Sequence, residues 1–242
     1  MSFEITNEFK KDESILLDYF IYDNFLKRFE FNQRFTESLE EKDPALLNGI
    51  ELIIRPECNH QCEYCYITKY GKKLYPKRFT NEEILNNLKL ILDYFFIEKK
   101  LYVKHWELFA GDLFYDNLIF DIFDIFYPYL KNIYEHYSHL TEITNIMIPN
   151  NCSFIKSDEK IKKMQEYIDK FADIHCRIVL SASIDGKYAQ GVREKDEYED
   201  EYYEKLFTFF QKNQYGYHPM IYAGNIEHAI ENYDWWLEQL EK

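Results

Sequence analysis

The chain has 242 residues, with 29 Lys and Arg against 43 Asp and Glu, for a formal net charge of −14. That balance excludes the basic stripe a nucleic-acid backbone requires and disfavours an anionic membrane surface. Hydrophobic residues at 46% exclude a disordered chain, and the core is aromatic-heavy, with 22 Tyr and 20 Phe against 7 Gly.

The opening residues Met1 to Glu8 are polar and acidic, unlike a signal peptide. No apolar run approaches the roughly 18 residues of a membrane span, so a soluble, cytoplasmic protein is expected. Five cysteines without a secretion signal point to metal binding or catalysis before disulfides.

Residues 1–48 read as a helical extension, dense in Leu, Phe and Tyr between Ser14 and Leu39 and broken by Asp43-Pro44. From Gly49 to Lys242 strand-like and helix-like segments alternate. Ile50 to Ile54 is the first strand. Thr80 to Glu83 is a capping box, and Ile84, Leu85, Leu88, Ile91, Leu92, Phe95 and Phe96 follow at helical spacing. Leu101–Phe109 predicts the second strand, and Tyr115–Tyr137 a helical region kinked or broken at Pro128. Ile143–Ile148 is the third strand. Ser157 caps a helix with Ile161, Met164, Ile168 and Phe171 on one face. Arg177–Ile184 is the fourth strand, Tyr198–Phe210 a helix, Tyr217–Tyr222 the fifth strand, and Asn225 caps a last helix.

Five β-then-α units predict an α/β fold with a parallel sheet, doubly wound or curled into a full or partial barrel. Ligands then bind at the carboxyl ends of the strands. Gly111, Gly186 and Gly224 each fall just beyond a predicted strand, where they serve either a close backbone approach to a ligand or ordinary turns.

The segment Cys58-Asn59-His60-Gln61-Cys62-Glu63-Tyr64-Cys65 carries the chemistry. It is C-x3-C-x2-C, directly after the first strand. Three thiolates on one loop can wrap a soft metal centre. An iron–sulfur cubane takes one Cys per iron, which would leave the fourth iron open. A zinc ion would need a fourth ligand, and His60 would compete sterically with its neighbours for that role. Three unliganded core cysteines are the remaining reading.

This segment resembles the signature of the radical S-adenosylmethionine (SAM) superfamily, C-x3-C-x-aromatic-C, with Tyr64 as the aromatic. The resemblance implies a partial (β/α) barrel and a [4Fe-4S] cluster on Cys58, Cys62 and Cys65, with SAM chelating the fourth iron. It also implies reductive cleavage of SAM to a 5′-deoxyadenosyl radical that takes a hydrogen atom from substrate. Phe109-Ala110-Gly111-Asp112 stands where the family carries Gly-Gly-Glu-Pro, keeping one Gly and an acid, and implies contacts from Ala110, Gly111 and Asp112 to SAM. Pro149-Asn150-Asn151 loosely matches a Thr-Asn-Gly turn and brings in Asn150.

Ser181 to Gly186, with Arg193 seven residues on, is similar to the Ser-x-Asp-Gly…Arg pattern of the peptide- and protein-modifying branch, which includes sulfatase-maturating enzymes and ribosomal-peptide maturases. That likeness implies Ser181 and Ser183 at the SAM ribose or carboxylate and Arg193 on the carboxylate. A peptide or protein substrate and an electron donor such as flavodoxin or ferredoxin are implied with it.

Two departures stand out. A sixth β/α unit and the SPASM-type C-terminal domain are missing, so a partner chain, a second copy or residues 1–48 are expected to cover the open barrel edge. The altered Gly-Gly-Glu-Pro region leaves a catalytically idle binding module as the alternative to an enzyme. Cys152 and Cys176 read as core residues, His105, His175 and His218 as packed or surface imidazoles, Trp235-Trp236 as packing onto the sheet, and Glu194–Glu204 as a solvated helix start.

Overall fold

The computed structural model describes residues 45–137, 144–189, 200–219, 221 and 226–240. The proposed 1–48 extension, Arg193, Gly224 and the cap at Asn225 fall wholly or mostly outside them. Pro44–Lys242 form one compact unit.

Four parallel strands lie in chain order: β1 (Ala45–Arg55), β2 (Leu101–Ala110), β3 (Thr144–Asn150) and β4 (Cys176–Ala182). β1 starts five residues before the predicted Ile50, because Ala45, Leu46 and Leu47 pair with Leu101, Tyr102 and Val103 of β2. The strand therefore opens directly after Pro44, and the domain boundary lies before residue 49.

Between the strands run α1 (Tyr66–Leu74), α2 (Asn81–Leu92), α3 (Leu118–His136) and α4 (Asp158–Ala172), and α5 (Asp200–Asn213) and α6 (Ala229–Leu240) follow β4. The predicted capping box is present in full. Thr80 accepts from the Glu83 N–H at 3.2 Å, while the Glu83 carboxylate accepts from the Thr80 N–H at 2.8 Å. Ser157 caps α4 by accepting from the Lys160 N–H at 3.3 Å. α3 runs through Pro128 as one helix.

Alternation along β3 shows where the core lies. Thr144, Ile146, Ile148 and Asn150 are buried, and Asn145, Met147 and Pro149 are half-buried. Ile146 and Ile148 share one core with Trp106 and Leu108 of β2, Ile178 and Leu180 of β4, and Phe120, Phe123 and Phe126 of α3. Cys152 and Cys176 belong to that core. Its outer layer is aromatic: Trp106 meets Phe126 edge-on at 5.0 Å, and Phe114 stacks on Phe154 at 4.4 Å.

Of the predicted fifth strand, Tyr217–Tyr222, residues 217–219 and 221 are described. Among the described residues it is a single parallel bridge, Tyr217 to Ala182. The His218 N–H donates to the Ala182 carbonyl at 2.7 Å. Further down β4 a side chain takes the place of a neighbouring strand, the Tyr215 hydroxyl donating to the Ile178 carbonyl at 2.7 Å. Trp235 and Trp236 pack mainly on Tyr203 and Phe207 of α5, with Trp236 also on Tyr217, rather than directly on the sheet.

Candidate active site at the carboxyl ends of the strands

β1 ends at Arg55, and the chain turns straight into the cysteine loop. Arg55 is buried and forks onto Asp116, at 2.5 and 2.8 Å, while also donating to the Asp112 carbonyl at 3.2 Å. The pairing holds the Asp116 carboxyl down at about 2, against slight opposition from burial. This clamp ties the end of β1 to the turn after β2.

The Gly111 turn lies directly against the start of the cysteine loop. The Gly111 N–H donates to the Arg55 carbonyl at 2.9 Å, and the Asp112 N–H to the Glu57 carbonyl at 2.8 Å. A Cβ at Gly111 would sit 2.1 Å from the Glu57 oxygen. The close approach expected of this glycine is thus to the chain's own backbone. At Gly186, with φ of 103°, the close approach is to a side chain, that of Asn232, which stands where a Cβ would be.

Cys58, Cys62 and Cys65 line one cavity of about 870 Å³. Cys65 is the residue before α1, so the third thiol is fixed where that helix begins. Cys58 Sγ accepts from the His60 N–H at 3.3 Å and from Asn151 Nδ2 at 3.7 Å. Burial pushes the Cys58 thiol up to about 11; the charges of Asp112, Cys62 and Cys65 push the same way, against the His60 N–H. At that value the free thiol keeps its proton, which a soft metal centre would displace on binding. Among the described residues no three His, Cys, Asp or Glu side chains are spaced to hold one metal ion. A zinc ion would need its ligands around one centre, whereas a cubane takes each thiolate on a separate iron.

The other expected residues separate into two groups. Tyr64, Gly111, Asn150 and Ser183 line the cavity, and Asp112 and Ser181 do not. Tyr64 donates to Asp185 Oδ2 at 2.6 Å, joining the cysteine loop to the end of β4. Asn150 is buried, its amide donating to the Ile148 carbonyl at 3.1 Å and accepting from the Cys152 N–H at 2.9 Å. Asp112 is fully buried, with Oδ1 accepting from the Phe114 N–H at 2.6 Å. Burial raises its carboxyl to about 6, against backbone N–H donors and the charges of Arg55 and Lys160. The Ser181 hydroxyl is hydrogen-bonded to His218 Nδ1, and it is His218 that lines the cavity. Ala110 ends β2, its backbone in register with Arg55.

Four further cavity residues have no role that the sequence assigns. Asn151, Asp185 and His218 lie in segments noted above, whereas Arg78, which pairs with Glu57 at 2.8 Å, lies in a short loop without a pattern.

Neither a protein-family model nor a curated protein matches the chain. Among solved structures it is similar to polyhistidine-tagged anSMEcpe with bound AdoMet, at a TM-score of 0.51 and 15% identity over 79% of this chain and 49% of that one. Native anSMEcpe with bound AdoMet and Cp18Cys peptide is similar at 0.50 and 15%, over 81% and 48%. The chain spans about half the length of the solved chains it matches. The likeness is one of architecture: these residues fold as a partial (β/α) barrel of the radical SAM type.

Proposed function

We propose that this cavity holds a [4Fe-4S] cluster on Cys58, Cys62 and Cys65 with SAM beside it, and that the protein is a radical SAM enzyme acting on a peptide or protein side chain. The observation that carries the reading is that three cysteines of one loop line a single cavity at the carboxyl ends of a parallel sheet. When bound, the cluster and SAM supply one-electron cleavage of the sulfonium.

The chain's own residues bind and orient. Arg78 offers a guanidinium fork suited to a carboxylate at the cavity wall, and Ser183 a hydroxyl beside the end of β4. Tyr66 stacks on Phe109 with centroids 6.2 Å apart and covers part of the wall with apolar surface. The peptide substrate is supported by the Cp18Cys peptide bound to anSMEcpe. A flavodoxin- or ferredoxin-type donor and a cytoplasmic setting belong to the same reading. Among the described residues no cysteine forms a disulfide, and no helix is long and apolar enough to cross a membrane.

A second reading is a binding module that keeps the cluster but does not bind SAM. It is favoured by the burial of Asp112 and by the Ser181 hydroxyl being turned to His218. Anaerobic reconstitution with iron and sulfide, then dithionite and SAM, separates the two. The enzyme reading expects about four irons and four sulfides per chain and release of 5′-deoxyadenosine. A loaded sample without SAM affinity establishes the second reading, and a chain that takes up no iron overturns both.

A further inference from the structure

The last helix carries an apolar seam that the fold does not use. Ile226, Ile230, Tyr233 and Leu237 are 62%, 75%, 62% and 41% exposed. Their spacing of four, three and four residues places them on one stripe, running from the short turn Ile226–His228 into α6. The inward face of α6 is already filled. Trp235 and Trp236 enter the aromatic cluster, and buried Asn232 accepts from the Tyr188 N–H at 2.8 Å. The seam is therefore a second apolar face of one helix. A single exposed apolar side chain needs no explanation, but four in register mark an interaction surface.

Charge selects the partner. Glu227, Glu231, Asp234 and Glu238 each follow a seam residue and are exposed, forming an acidic stripe along one flank. α6 contains no Lys or Arg, and His228, just before it, is paired with Glu231 at 2.6 Å. A second copy would bring another chain of net charge −14 against this flank. We propose that this surface docks a cationic amphipathic helix of a partner protein, whose apolar ridge lies along Ile226, Ile230, Tyr233 and Leu237 while its Lys or Arg residues face the four carboxylates. The seam is about 17 Å long at the rise of a helix, so the partner segment needs about three turns. The inference does not depend on the cluster or its chemistry.

The test uses the full chain and a fluorescent synthetic peptide of leucine and lysine patterned as an amphipathic helix, with a leucine–glutamate peptide of the same pattern as control. The leucine–lysine peptide is expected to bind with saturation, about tenfold or more tighter than the control. The exposed pair Ile230→Ser and Tyr233→Ser is expected to weaken it about tenfold while leaving the circular dichroism spectrum intact. Glu231→Gln with Asp234→Asn is expected to weaken it several-fold and to flatten its salt dependence. Equal binding to the Ile230→Ser, Tyr233→Ser variant overturns the proposal, as does equal binding of the two peptides or no binding. So does dimerisation of the free chain that this variant abolishes, or binding to anionic vesicles in place of the peptide.

Discussion

Gly111→Ala tests whether the turn after β2 and the cysteine loop are one rigid unit. The added Cβ would meet three backbone atoms, the Glu57 oxygen at 2.1 Å, the Glu57 carbonyl carbon at 2.5 Å and the Pro56 oxygen at 2.6 Å. Ordinary contacts of a Cβ lie beyond 3 Å, so the two segments must part by about 1 Å. No side chain can rotate to relieve this, because every clashing atom is main chain. Parting by that distance stretches the Asp112 N–H to Glu57 bond from 2.8 Å beyond hydrogen-bond range. Overpacking costs about 1–3 kcal/mol and a lost buried hydrogen bond about 1 kcal/mol, so the sum is about 3 kcal/mol.

Urea denaturation of the metal-free protein reads that loss directly. Anaerobic iron uptake reads its effect on the loop, where Cys58 follows Glu57. The expectation is a lower midpoint with unchanged slope, together with reduced iron and sulfide content. A Gly111→Ala protein within about 0.5 kcal/mol of the parent that loads iron fully would refute the claim that these backbones are in contact.

Asp116→Asn removes the charge that Arg55 holds. The native carboxyl is depressed to about 2, so its contribution is present above the unfolded value near 4 and is lost as pH falls toward 2. Because Asp116 is about one-third exposed, solvent screening brings the contribution to about 1 kcal/mol, so variant and parent should differ by that much at pH 6 and converge near pH 2 in urea titrations. Tyr64→Phe removes the 2.6 Å bond to Asp185, and calorimetry should show a loss of about 1.5–3 kcal/mol for a hydrogen bond to a charged group. Under the enzyme reading, Ser183→Ala should weaken SAM binding to the loaded protein several-fold, whereas Ser181→Ala should leave it within about twofold. Calorimetric titration in which Ser181→Ala is the more damaging variant would return the role to Ser181.

What can be read from the sequence is local. The capping box of Thr80 and Glu83 and the Cys58-x3-Cys62-x2-Cys65 loop are short-range patterns, and both stand where the spacing puts them. α1 is easily missed in the sequence because it has only nine residues and Cys65 gives it no capping side chain, although Tyr66, Ile67, Tyr70 and Leu74 recur at helical spacing. Of the fifth strand that the apolar pattern near Tyr217 suggests, the described residues show one bridge, to Ala182. Residues brought together by the fold are the least legible. Tyr64 meets Asp185 across 121 positions and Asn151 meets Cys58 across 93, pairings that only the parallel order of the strands creates. The resemblance implies a ligand contact for the Ser181 hydroxyl, and no local signal indicates the hydrogen bond that it makes to His218.

A parallel sheet is ordinarily covered on both faces. Here one face is packed by Trp106, Leu108, Ile146, Ile148, Ile178 and Leu180, while Ile53, Phe109, Met147 and Val179 on the alternate positions remain exposed or half-buried. Stability must then come largely from the outer layer, which is where the aromatic contacts of Phe114, Phe120, Phe123, Phe126 and Phe171 lie. A cavity left out of the core in this way can change its lining at little cost in folding. The exceptions are points where cavity wall and scaffold share main chain. Gly111 has no room for a Cβ, and the buried amide of Asn150 spans the ends of β3 and β4, donating to the Ile148 and Ser181 carbonyls at 3.1 and 3.4 Å. At those positions a substitution disturbs the fold and the site together, whereas at Arg78 or Ser183 it should disturb ligand binding alone.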